Sequence, residues 1–174
     1  PIISPNKNYA AYLKDNTLYV SEINGQKSKV FENTSTMPYT LSYIWLDNSN
    51  LLYSPKSGGI FIFNADKAES KPYVINEFHY HNMTIGTDRK VYAEKYLYYE
   101  KDDRESIEDF GVVEFTSDTK KEQVIIKSIP IDKETFGMYP VIAGISKDFR
   151  FLLILEHPHS GSLAADGVGI AAYD

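Results

Sequence analysis

Four histidines, arranged as two His-X-His pairs, are the residues of this sequence best suited to metal chemistry. The first pair is His79 with His81, and the second is His157 with His159. Residues two apart in an extended segment face the same way, so each pair can present two imidazoles to one ion. We therefore hypothesise a site for zinc or another divalent metal formed by all four. The alternative is that they are ordinary histidines in surface loops.

A charged segment, residues 101–109, is the second candidate for binding. It contains Asp102, Asp103 and Arg104 among further charged residues. Its carboxylates suit a basic partner, and a solvated loop is the alternative. The stretch from residue 100 to 109 is also compatible with a short helical turn.

The sequence contains partial matches to two motifs of nucleotide binding and catalysis, but neither match is complete. Residues 167–172 match a Gly-X-Gly-X-X-Ala nucleotide fingerprint by letter, but the helix and the downstream acid that this motif needs do not follow, so we predict a strand there. Residues 144–148 fail the last position of a Gly-X-Ser-X-Gly elbow, and there is no phosphate-binding Gly-Lys-Ser/Thr loop. The sequence predicts no catalytic residue, no cofactor other than the hypothesised metal, and a binding protein rather than an enzyme.

The composition limits the partners. The 174 residues carry a net charge of −6, which argues against the capture of nucleic acid by a basic surface. The absence of Cys removes disulfides and thiolate chemistry. No apolar run approaches the roughly 20 residues of a membrane span. With 14 Tyr and 9 Phe, the chain is rich in residues that favour strands.

An internal repeat supplies the elements that must position these residues. Forty-two residues separate Asn6 from Asn48, and 42 separate Leu18 from Ile60. Each repeat has short strands rich in Tyr, Val, Ile and Phe, punctuated by turn residues. We predict an all-β fold, a β-propeller of about four four-stranded antiparallel blades in units of about 1–35, 36–78, 79–130 and 131–174. A β-sandwich is the alternative.

The last unit lacks its final strand in this sequence. The chain also begins at Pro1 rather than Met, so we expect it to be part of a larger propeller. An incomplete blade exposes an unpaired strand edge, from which we expect self-association.

Up-and-down strand order predicts where the candidate residues lie. The connections between blades and those between second and third strands emerge at one end of the blades, which brings the four histidines and residues 101–109 to that end. Long loops on a rigid scaffold commonly carry binding sites. Trp45 and the tyrosines are expected to fill the space between blades.

Residues 4–12 read Ser-Pro-Asn-Lys-Asn-Tyr-Ala-Ala-Tyr, and residues 16–20 read Asn-Thr-Leu-Tyr-Val. This pattern resembles the WD40-like β-propeller repeat of TolB and of the propeller domains of prolyl oligopeptidase and tricorn peptidases. The match is partial at residues 59–62 and 146–148 and degenerate in the third unit.

The resemblance implies a noncatalytic scaffold that binds a protein or peptide, outside the cytoplasm. One alternative is the substrate-gating propeller of a prolyl oligopeptidase-like serine peptidase whose catalytic domain lies outside this chain. A second alternative is a metal- or carbohydrate-binding module.

Overall fold

The chain forms four antiparallel β-sheets that follow one another in sequence. A computed structural model describes residues 1–32, 41–55, 57–86, 89–101, 104–116, 120–132, 136–160 and 169–173. These residues form fifteen strands and no α-helix. Each sheet keeps its strands in chain order, as a meander. This confirms the predicted all-β class and the β-propeller fold, in which each sheet is one blade.

The chain divides into two compact units, Pro1–His79 and Tyr80–Asp174. Blades 1 and 2 lie in the first unit, with strands β1 (Ile2–Ile3), β2 (Tyr9–Lys14), β3 (Thr17–Glu22), β4 (Lys27–Glu32), β5 (Ser42–Trp45), β6 (Asn50–Ser54), β7 (Ile60–Asn64) and β8 (Glu69–Val74). Blades 3 and 4 occupy the second unit, apart from the first residue of β9, with strands β9 (His79–Ile85), β10 (Val91–Lys101), β11 (Arg104–Phe115), β12 (Glu122–Ile126), β13 (Met138–Ile145), β14 (Leu152–Pro158) and β15 (Gly169–Tyr173). Blade 4 has three strands among the described residues, and β15 pairs with β14.

Aromatic packing joins the two blades of the first unit. The Trp45 ring lies 6.0 Å from that of Tyr9, and its indole Nε1 donates a hydrogen bond of 3.2 Å to the carbonyl of Ile2. Trp45 belongs to a buried cluster that also contains Leu18 and Phe63. The predicted role of Trp45 between blades is therefore confirmed within this unit.

The Ser-Pro-Asn segment before β2 forms a tight, side-chain-bonded turn. The Ser4 hydroxyl donates to Asn6 Oδ1 at 2.8 Å and accepts from the backbone N–H of Tyr9 at 3.0 Å. The backbone N–H of Lys7 donates to the Ser4 carbonyl at 2.8 Å, and Lys7 has a φ of 62°. The turn therefore reverses the chain through its own side-chain oxygens.

The same turn recurs before β14, 142 positions later in the chain. The Ser146 hydroxyl donates to Asp148 Oδ1 at 2.5 Å and accepts from the backbone N–H of Phe151 at 2.9 Å. The N–H of Phe149 donates to the Ser146 carbonyl at 2.8 Å, and Phe149 has a φ of 59°. In both turns the serine bonds to the side chain two residues later and to the N–H five residues later, and the residue three positions later has a positive φ. The sequence repeat is therefore also a repeat of the hydrogen-bond pattern.

Ser146→Ala is expected to destabilise the second unit by about 1 kcal/mol, because it leaves the Phe151 N–H without its acceptor. Ser4→Ala should cost a similar amount in the first unit. Urea denaturation measures both changes. The exposed neighbour variant Lys147→Ala should stay within about 0.5 kcal/mol of wild type. Equal stabilities of Ser146→Ala and Lys147→Ala would show that the serine does not hold the turn.

The hairpin of β10 and β11 is longer than the other hairpins and corrects one prediction. Residues 101–109 were predicted as a loop or a short helical turn, whereas Lys101 pairs with Arg104 and Tyr98 pairs with Ile107 in an extended ladder. Tyrosines in β10 favour a pleated strand, and cross-strand pairing continues to the tip. The segment therefore lengthens the blade, with Asp102 and Asp103 outside the described residues.

Candidate functional site

The second unit gathers aromatic and imidazole side chains on one face of blade 3 and the adjoining part of blade 4. We call this the tyrosine–histidine face, and its members are His81, Tyr96, Tyr98, Tyr139, His157 and His159. His81 comes from β9, the first two tyrosines from β10, Tyr139 from β13, and the last two histidines from the end of β14 and the residue after it. Ring contacts between β9 and β10, and between β13 and the end of β14, therefore build its two parts.

Strand alternation and a β-bulge decide which residues share this face. Tyr96 and Tyr98 are two apart in β10 and point the same way. Lys95 pairs with Gly111, but Tyr96 pairs with Asp109, so Phe110 is the extra residue of a bulge. The bulge places Asp109 directly across from Tyr96. Without it, a phenylalanine would occupy this position.

The opposite face of β10 carries a separate polar group. Lys95 Nζ lies 2.5 Å from Glu122 Oε1, and the Tyr80 hydroxyl donates to Glu122 Oε2 at 2.8 Å. Lys95 is buried, so this ion pair is anchored by a second hydrogen bond within blade 3. It lies on the side of blade 3 opposite to the tyrosine–histidine face.

His81 packs against both tyrosines of β10. Its ring meets Tyr96 edge-on with centroids 5.1 Å apart and lies 6.0 Å from Tyr98. His81 Nε2 is also 3.2 Å from the Tyr98 hydroxyl, which is hydrogen-bonding distance. The imidazole is therefore oriented by its neighbours.

Tyr139 brings the second His-X-His pair together. The rings of His157 and His159 each lie 4.9 Å from the Tyr139 ring. His157 Nδ1 is 2.9 Å from the carbonyl of Pro158. Both histidines thus share one aromatic contact at the start of β13.

Glu94 is a buried carboxyl group beside this face, with only 3% of the residue exposed. Its Oε1 accepts from Asn82 Nδ2 at 2.9 Å and from the backbone N–H of Ile142 at 2.7 Å. Its Oε2 accepts from the Tyr96 hydroxyl at 2.9 Å. Burial raises the pKa of Glu94, and the three donors act against that rise. Glu94 therefore joins β10 to β13.

Asp109 is the second carboxyl group of the cluster. It accepts from the backbone N–H of Gly111 at 2.7 Å and from the Ser128 hydroxyl. Burial raises the pKa of Asp109, while these hydrogen bonds and the charge of His159 oppose the rise. Burial also raises the pKa of Tyr96, so its hydroxyl stays protonated at neutral pH and donates.

The predicted site residues have separate outcomes. The structure brings His157 and His159 together on Tyr139, whereas His81 lies on Tyr96 and Tyr98. His81 and His157 lie in strands rather than loops. His79 begins β9 and is buried. Arg104 is the first residue of β11, and Asp102 and Asp103 lie outside the described residues. As binding residues, all seven remain predictions.

Sequence reasoning missed Glu94, Tyr96 and Tyr139 as members of one site. The available signal was Glu94 in a strand with four tyrosines, on the same side of that strand as Tyr92, Tyr96 and Tyr98. Such a residue is seldom buried without partners. Its partners come from β9 and β13, and strand patterning does not reveal them.

The metal hypothesis concerns all four histidines. Within the described ranges, no three His, Cys, Asp or Glu side chains are grouped so that they could hold a metal ion. His81 Nε2 and His157 Nδ1 instead lie within hydrogen-bonding distance of protein oxygens. The metal site stays a prediction.

The fold and this face define a β-propeller with an aromatic surface on its second unit. No protein-family model matches the chain, and no curated protein matches it in sequence. No helix in the part of the chain that the structure describes has the length and apolar character needed to cross a membrane.

Proposed function

We propose that the chain is a noncatalytic, TolB-like β-propeller scaffold that binds a protein or peptide through the tyrosine–histidine face. The observation that carries this proposal is a pair of partly exposed ring clusters in the second unit, His81 with Tyr96 and Tyr98, and Tyr139 with His157 and His159. The WD40-like pattern of residues 4–20 supports the scaffold class. The TolB resemblance also favours a place outside the cytoplasm.

The chemistry of the face suits a polypeptide partner. Tyrosine supplies a large contact area with few rotatable bonds, and its hydroxyl reaches the polar groups of a backbone. Aromatic residues are enriched at the centres of protein interfaces and contribute much of their binding energy. Tyr98, Tyr139 and His159 each retain exposure to solvent.

The carboxyl groups beside the face support a structural role rather than a catalytic one. Glu94 receives three hydrogen bonds from the chain itself, and one of them is from the backbone of Ile142. Asp109 receives bonds from Gly111 and Ser128. Because these carboxyl groups already accept hydrogen bonds from the chain itself, they stabilise the strands. The tyrosine and histidine rings are then the groups that contact the partner.

Selection of peptides on the immobilised chain tests the proposal. A phage-displayed library of random peptides is selected, and the enriched peptides are synthesised for calorimetric titration. We expect Tyr98→Ala and His159→Ala to weaken binding about tenfold or more, which corresponds to about 1.4 kcal/mol.

Tyr99→Ala is the matched control. Tyr99 follows Tyr98 in β10 and points to the opposite face, with 41% of the residue exposed. Its loss should leave the affinity unchanged. The proposal fails if no peptide is enriched, or if enriched peptides bind both test variants as tightly as wild type.

A further inference from the structure

The turn between β3 and β4 contains Asn24 followed by Gly25, two residues that can react with each other. The backbone nitrogen after an asparagine can attack the carbonyl carbon of the asparagine side chain and close a five-membered succinimide ring. Glycine hinders this attack least, because it has no Cβ and the widest choice of backbone angles. Of the asparagines in the sequence, Asn24 alone is followed by glycine, so the reaction is least hindered there.

The structure leaves this turn open to water. Asn24, Gly25 and Gln26 are all exposed. The Asn24 side chain has no hydrogen-bond partner among the described residues, so it can rotate towards the nitrogen of Gly25. The Gly25 N–H donates to the Glu22 carbonyl at 3.4 Å, which is longer than a usual backbone hydrogen bond. The attacking nitrogen is therefore weakly held.

Other asparagines are followed by nitrogens that are held more tightly. The N–H of Ser49, which follows Asn48, donates to Asp47 Oδ1 at 2.9 Å. The N–H of Ala65, which follows Asn64, donates to the Ser49 carbonyl at 2.8 Å. Such a nitrogen must lose its hydrogen bond before it can attack a side chain. Asn48 is exposed like Asn24, so it shows what the hydrogen bond alone does to the reaction.

We propose that Asn24 deamidates spontaneously in the folded protein. The Gly25 nitrogen forms a bond to the side-chain carbonyl carbon of Asn24, and the bond from that carbon to the amide nitrogen breaks. Ammonia leaves with the proton that the Gly25 nitrogen gave up, and a succinimide remains. Water then opens the ring at either carbonyl, which gives aspartate or isoaspartate. A neutral amide is thereby exchanged for a carboxylate, with water as the only co-reactant.

The reaction changes a groove of about 350 Å³ on the first unit. Lys7, Glu22 and Asn24 are among the residues that line this groove, and the first two are its charged side chains. One cation and one carboxylate balance before the reaction, and a second carboxylate makes the groove negative. Isoaspartate also lengthens the backbone of a turn that the Glu22 N–H closes on the Gln26 carbonyl at 3.0 Å. This site does not depend on the proposed peptide-binding face.

Timed incubation of the full chain at neutral pH, folded and in parallel unfolded in urea, tests the proposal. Peptides are prepared at acidic pH, which keeps the digestion from deamidating them, and tandem mass spectrometry locates each new acid. We expect Asn24 to be converted in the folded chain. The ratio of the Asn24 rate to the Asn48 rate should be about tenfold larger in the folded chain than in urea, because folding holds the Ser49 nitrogen.

Asn24→Gln is the matched control, because it keeps a side-chain amide but needs a six-membered ring to react. This variant should gain no acid at the turn over the time in which the wild-type chain is converted. Three results would overturn the proposal. They are conversion of Asn24 in urea only, a rate ratio that unfolding leaves unchanged, and an Asn24→Gln chain that becomes acidic at this turn as fast as wild type.

Discussion

Glu94→Ala is expected to destabilise the second unit by about 3 kcal/mol, measured by urea denaturation. The substitution removes the acceptor of Asn82, of the Ile142 N–H and of the Tyr96 hydroxyl. Each buried donor left without a partner costs about 1–3 kcal/mol, and relaxation of the surroundings recovers part of the sum. The bond to Ile142 crosses from blade 3 to blade 4, so its loss also weakens the packing of these blades.

Glu94→Gln is the matched control, because it keeps an oxygen for Asn82 and Ile142. Its amide can donate to the oxygen of Tyr96, whose hydroxyl is also hydrogen-bonded to Asp109. We expect this variant to be about as stable as wild type at pH 5. Glu94→Ala and Glu94→Gln variants of equal stability would show that the hydrogen bonds of this carboxyl contribute nothing.

Wild type and Glu94→Gln are also expected to differ in how their stability depends on pH. Burial raises the pKa of Glu94 above its ordinary value of 4.5, so this carboxyl group binds a proton more tightly in the folded chain than in the unfolded chain. The contribution of Glu94 to stability is then fully present below about pH 4.5 and is lost as pH rises through the folded pKa. Glu94→Gln lacks this loss and should be the more stable protein at pH 8. A variant with the pH profile of wild type would contradict the assignment.

Gly111→Ala is expected to destabilise the second unit by more than about 3 kcal/mol, measured by urea denaturation. Gly111 has a φ of 101°, which L side chains rarely adopt. An added Cβ would also clash with the carbonyl oxygen of Ile126, a backbone atom of the neighbouring strand. The ladder between β11 and β12 would have to separate.

Gly144→Ala serves as its comparison. Gly144 also has a positive φ, 154°, but an added Cβ would meet no atom within 4 Å. The only destabilising effect expected in Gly144→Ala is backbone strain. We expect this strain to lower the free energy of unfolding by about 1–2 kcal/mol. If the two alanine variants are equally stable, the contact with Ile126 does not account for the effect at Gly111.

Displacement of Asp109 is the second expected consequence of Gly111→Ala. The Gly111 N–H bonds to Asp109, and Gly111 adjoins the bulge that sets Asp109 across from Tyr96. Shifted NMR signals of Tyr96 and Ser128 should accompany any folded Gly111→Ala protein. Unchanged signals at these residues would show that the bulge does not depend on this glycine.

The sequence by itself predicted the repeated elements of the fold. The 42-residue spacing of Asn6 and Asn48 located the turns, and the Ser146 turn repeats the hydrogen bonds of the Ser4 turn. Short-range preferences set these features, because a turn's hydroxyl, its left-handed residue and the next strand lie within six residues of one another. Four consecutive meanders follow from such local signals.

The site was decided by the tertiary structure. Glu94 and Ile142 are 48 positions apart, and their bond requires blade 4 to pack against blade 3. Asp109 reaches Tyr96 because one bulge shifts the register of β11, and period-2 patterning alone would have put Phe110 there. Burial of a carboxyl group depends on such long-range contacts, whereas strands and turns depend on neighbouring residues. The amino-acid order therefore determined the blades, and their packing determined the tyrosine–histidine face.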